Sequence, residues 1–79
     1  MSISIEQKQQ IIKFVASFAK VEESAIENSI TLKDLQIDEL DLVRLTIELE
    51  EMLNIEISEE ELKTIRTIKD ILSLVNTKF

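Results

Sequence analysis

The sequence predicts an all-α fold, a small bundle of three main helices and one short helix. Three observations carry the prediction. Apolar residues recur with the 3.6-residue helical period in three stretches, residues 11–19, 42–53 and 68–75. A residue suited to cap a helix start precedes each of them: Ser4, Asp38 and Thr67. No segment alternates long enough to build a sheet, since Ile55-Glu56-Ile57 is brief and has no partner strand elsewhere.

The first helix opens at Ser4, and Gln7, three residues on, completes a capping box. Ile11, Val15 and Phe18, with Ile12, Phe14 and Ala19, make a broad apolar face that runs to about Lys20. Lys8, Lys13 and Lys20 lie elsewhere on this helix, whose expected role is core. Residues 21–37 then form a long connection. Glu22-Glu23-Ser24-Ala25-Ile26 suits a short helical turn, and Ile26 and Ile30 are placed to pin the connection to the core. Residues 31–35 suit another turn, with Thr31 capping toward Asp34. A connection of this length is normally functional or anchored by its own apolar residues. The chain contains no Gly and no Pro, so its turns lack the usual signals.

The second helix is expected from Asp38 to about Leu53. Asp38 is the N-cap, and Glu39 and Asp41 place negative charge at the positive end of the helix dipole. Leu42, Leu45, Leu49, Met52 and Leu53 recur at helical spacing and are expected to face the core. Leu40, Val43 and Ile47 form a second apolar strip, turned away from the first and rimmed by Asp38, Asp41, Glu48, Glu50 and Glu51. Asn54 suits the left-handed residue that ends a helix. Residues 55–57 read as an extended linker whose isoleucines plug the bundle. Ser58 and Glu61 form the clearest capping box in the chain and open a short third helix through about Ile65. Thr67, with Asp70 at the third position, opens a fourth whose apolar face is Ile68, Ile71, Leu72 and Val75.

Composition narrows the function. Seventy-nine residues are expected to form one domain over residues 1–79. With no Cys and no His, disulfides, thiolate catalysis, the usual general base and the commonest metal ligand are all missing. Asp34, Asp38 and Asp41 lack the spacing and the Gly of a calcium loop. Acid pairs arise by chance among so many carboxylates, so the chain is not expected to be an enzyme and no metal site is expected. No stretch is apolar enough to cross a bilayer and no signal pattern opens the chain, which predicts a cytoplasmic protein. A monomer is the expected state. The net charge of −7 is unevenly spread: residues 34–61 carry eleven acids and one base, Arg44, while the rest carry five acids and eight bases. Such a surface repels nucleic acid and suits a basic protein patch. A solvated acidic face is the simpler reading of a charge run; docking is favoured here because the acids border apolar residues on one helix.

Residues 35–45, Leu-Gln-Ile-Asp-Glu-Leu-Asp-Leu-Val-Arg-Leu, resemble the attachment segment of acyl carrier proteins, and the resemblance extends over nearly the whole chain. That family usually carries Asp-Ser-Leu there, its serine holding a 4′-phosphopantetheine arm. In this sequence Glu39 takes the serine position, and Gln36 and Ile37 stand where the family commonly has Gly. The resemblance implies the same small helical fold. It also implies a module that docks on enzymes of fatty-acid, polyketide or related acyl biosynthesis through basic surfaces of those or other acyl-transfer enzymes. The docking residues it points to are Asp38, Leu40, Asp41, Val43, Ile47, Glu48 and Glu51. With Glu39 in place no cofactor is expected; 4′-phosphopantetheine is implied only if Glu39 is an engineered replacement of Ser. Glu39 has a plain role as a favourable first-turn charge, worth a few tenths to about one kcal/mol, and a second as a crude imitation of the arm's phosphodiester. Arg44 stands where the family often has Glu. The alternative function is an acidic adaptor or inhibitor that blocks a basic partner surface.

Overall fold

A computed structural model describes residues 3–27 and 29–79. Among the described residues four α-helices follow one another: α1 (Ile5–Ala19), α2 (Glu39–Leu53), α3 (Glu59–Leu62) and α4 (Ile68–Thr77), with a 3₁₀ turn at Glu23–Ala25. The helix starts are where the capping residues put them. The hydroxyls of Ser4, Ser58 and Thr67 accept the N–H groups of Gln7, Glu61 and Asp70, and each of those side chains returns a bond to the cap backbone. The helix ends are closed without glycine. Lys20 and Asn54 take left-handed conformations, φ 60° and 55°, at the C-caps of α1 and α2.

Ile11 and Val15 of α1, Leu45 and Leu49 of α2, and Ile68, Ile71 and Val75 of α4 are fully buried against one another. Each such side chain is worth roughly 1.5–3 kcal/mol when removed from water. The long connection closes the remaining side through Ile26, Leu32, Leu35 and Ile37. It is strapped to the approach to α4: the Leu32 N–H donates to the Arg66 carbonyl at 2.9 Å and the Ile68 N–H to the Ile30 carbonyl at 3.1 Å. Thr31 and Thr67 thereby form an isolated antiparallel bridge, which is a clasp and not a sheet. None of the helices is long and apolar enough to cross a membrane, among the described residues.

Three expectations are corrected. α3 ends at Leu62, not Ile65, because the Thr64 and Ile65 N–H groups bond the carbonyls three residues back. That tighter turn swings Ile65 into the core, where it is buried. Met52 is not core but 45% exposed, while its neighbour Leu53 packs against the core. Ile55 packs on the core as expected. Ile57 does not plug the bundle; it is half-buried in a groove beside α2.

Candidate functional site

The start of α2 is fixed from both sides. Upstream, Thr31 and Asp34 cap one another: the Thr31 hydroxyl accepts the Asp34 N–H at 3.0 Å and the Asp34 carboxylate accepts the Thr31 N–H at 3.4 Å. The N–H groups of Leu35 and Ile37 bond the Leu32 carbonyl at 3.1 and 2.9 Å, so the turn buries Leu32, Leu35 and Ile37 together. Between them Gln36 sits at φ 59°. A non-glycine residue there costs roughly 1–2 kcal/mol relative to an ordinary helical conformation. The turn delivers Asp38, whose carboxylate accepts the Asp41 N–H at 2.8 Å. Glu39 is the next residue, in the first helical turn and exposed.

From that start the helix divides into two faces. Leu42, Leu45 and Leu49 are buried, as expected. Leu40, Val43 and Ile47 are 71%, 38% and 48% exposed, so the second strip does face outward. Thr46 lies between the faces and is buried; its hydroxyl donates to the Val43 carbonyl at 2.8 Å, which satisfies it within the helix. Asp38, Glu48 and Glu51 are exposed beside the outer strip, and Asp41 is half-buried. Glu50 is not a free rim acid. Its carboxylate accepts the Ile57 N–H at 2.9 Å, and its carbonyl accepts the N–H groups of Asn54 and Ile55. One residue thus ends α2 and folds the linker back along it. Arg44 lines a cleft with Lys20, Gln36 and Asp41 beside the end of α1.

The returning linker and α3 turn the outer strip into one wall of a groove. Val43, Thr46 and Ile47 face Ile57 and Leu62 across a space of about 310 Å³, with Glu39, Glu50, Glu59 and Lys63 along it. On the other side of Glu39 a cavity of about 460 Å³ has Leu32, Ile37, Leu42, Leu62 and Ile65 as its apolar lining and Lys33, Lys63 and Arg66 as its basic one. Glu39, Leu62 and Lys63 border both spaces. Ile57, Leu62 and Lys63 were not among the expected site residues, because only the back-fold of the linker brings them to α2. The one sequence signal for this is the Ser58–Glu61 box, which fixes where the chain must turn into α3.

α3 is held by a clamp across seventeen positions. The Lys78 ammonium donates to both carboxylate oxygens of Glu61, at 2.9 and 2.8 Å. With the Ser58 N–H as a further donor, this ion pair pulls the Glu61 carboxyl from its ordinary value of 4.5 down to about 2. Asp70 is also held below its ordinary value, chiefly by the Arg66 N–H and then by Thr67 at the start of α4.

Comparison with known proteins places this geometry. Residues 9–75 match the family described as phosphopantetheine attachment site. An acyl carrier protein of Chlamydia caviae is 42% identical over 52 residues, 66% of this chain and 68% of that protein. One from Phytoplasma mali is 37% identical over 68 residues, 85% of this chain and 81% of that protein. The crystal structure of an acyl carrier protein from Thermotoga maritima superposes with a TM-score of 0.68 at 25% identity, covering 86% of this chain and 88% of that one. On the extent of these matches, the chain belongs to the acyl carrier protein family.

Proposed function

We propose that this chain is a docking module for enzymes of fatty-acid, polyketide or related acyl biosynthesis, and that it works without a phosphopantetheine arm. The observation that carries the second part is Glu39, at the family's attachment position and exposed in the first turn of α2. Attachment of the arm needs a hydroxyl oxygen to attack phosphorus, and a carboxylate is not that nucleophile. The residues at this helix start therefore do not fit the arm. Docking is supported by the outer strip of α2, by its acids, and by the family match, which also favours this reading over an adaptor unrelated to acyl chemistry. Asp38, Leu40, Asp41, Val43, Ile47, Glu48 and Glu51 remain the proposed contacts, toward a basic partner surface. The bacterial relatives support a cytoplasmic setting.

Incubation with coenzyme A and a broad phosphopantetheinyl transferase, followed by intact-mass measurement, tests the loss of the arm. No gain is expected, and Glu39→Ser is expected to restore one. A gain on the unaltered chain equal to the mass of the arm would overturn this reading.

A further inference from the structure

We infer that the chain acts as a decoy for arm-bearing members of its family, occupying carrier-docking sites on acyl-transferring enzymes and delivering nothing to them. This rests on the docking role and the missing arm proposed above. Three features of the molecule lead to it. The docking strip stays accessible, with Leu40, Val43 and Ile47 71%, 38% and 48% exposed along α2. The helix start is fixed, the Asp38 carboxylate accepting the Asp41 N–H at 2.8 Å just after the turn in which Gln36 takes φ 59°. Glu39 sets one negative charge where an arm-bearing relative has a phosphodiester, which is also a monoanion at neutral pH. An enzyme that recognises an armed carrier therefore meets a matching surface and charge with no thiol behind them.

The occupant this surface suits is an enzyme face with an apolar socket bordered by Lys or Arg. The apolar strip supplies the anchor, because large side chains that desolvate in a pocket carry most of an interface's energy. The acids supply steering: eleven acids against one base over residues 34–61 speed encounter with a basic face. A ligand of this kind competes by mass action alone and needs no chemistry of its own.

The probe is an acyltransferase that moves an acyl group from coenzyme A to the thiol of the Thermotoga maritima acyl carrier protein, armed beforehand with 4′-phosphopantetheine. Loading is followed by intact mass as this chain is added. The chain is expected to raise the apparent KM for the armed relative and leave kcat unchanged. Ile47→Ala, checked to be folded by its melting curve, is expected to raise the inhibition constant about tenfold, the scale of a lost central anchor. Glu39→Gln is expected to raise it about threefold, the scale of one exposed charge pair. Absence of inhibition, inhibition that excess armed relative does not relieve, or inhibition indifferent to Ile47→Ala would each overturn the proposal. Calorimetric titration of the acyltransferase with the chain separates the two levels. Binding without inhibition removes only the decoy role, whereas no binding removes the docking role beneath it.

Discussion

Leu42, Leu45 and Leu49 are buried on α2, while Leu40, Val43 and Ile47, one or two residues away, stay exposed. The two faces are built from the same kinds of side chain, so hydrophobicity does not separate them. What separates them is the cover each receives. The inner face meets α1, α4 and the residues that the Thr31–Asp34 turn buries, Leu35 and Ile37 among them. The outer face meets only the returning linker and α3, a helix of four residues, too short to cover fifteen. The exposed strip is thus a consequence of how early α3 ends.

Truncation on each face of α2 should separate the two most widely. Leu49→Ala should cost about 2–5 kcal/mol of stability, the usual range for a fully buried leucine. Ile47→Ala should cost about 1 kcal/mol or less, as expected of a half-exposed site. Urea unfolding of the two variants measures both. Equal losses would put Ile47 in the core and end the distinction between the faces.

A second pair separates acids that look alike. Glu50→Ala should cost about 1–3 kcal/mol, because the Ile57 N–H loses its charged acceptor. Glu51→Ala, one residue on and exposed, should stay within about 0.5 kcal/mol. Comparable losses in thermal melts of the two variants would show that the Glu50–Ile57 bond does not hold the linker to α2.

These pairs also mark what was legible in the sequence. The capping boxes at Ser4, Ser58 and Thr67 and the mutual caps of Thr31 and Asp34 were readable because each spans only three residues. The division of α2 followed from its period once Asp38 fixed the starting phase. Met52 was misplaced because period alone does not show where the core stops along a helix. The groove was out of reach. Its far wall depends on Glu50 reaching seven residues ahead to Ile57 and on Lys78 gripping Glu61 from seventeen residues away. Neither pairing leaves a mark in local spacing. Gln36 at φ 59° was hidden for another reason: the turn takes a left-handed residue without the glycine that would announce it.

The smallest effect at neutral pH belongs to the clamp on the groove's far wall. Glu61 titrates near 2 in the folded chain against an ordinary 4.5, so as pH falls the unfolded chain takes up its proton first. The clamp's contribution is therefore complete above pH 4.5 and is lost as pH drops toward 2. Lys78→Met should flatten this part of the stability–pH curve: its loss is fullest at pH 7, small in size because the pair is partly exposed, and vanishes toward pH 2. Melting temperatures collected from pH 7 to 2 check it; a curve as steep as that of the unaltered chain would mean that Lys78 does not hold Glu61.

One face of α2 packs into the core and the other is the proposed docking face. A methyl NMR titration with the acyltransferase tests it most directly. Shifts and broadening are expected at Leu40, Val43 and Ile47, with the methyls of Leu45 and Leu49 unmoved. Changes centred on α1 or α4, while the outer strip of α2 stays unperturbed, would contradict it.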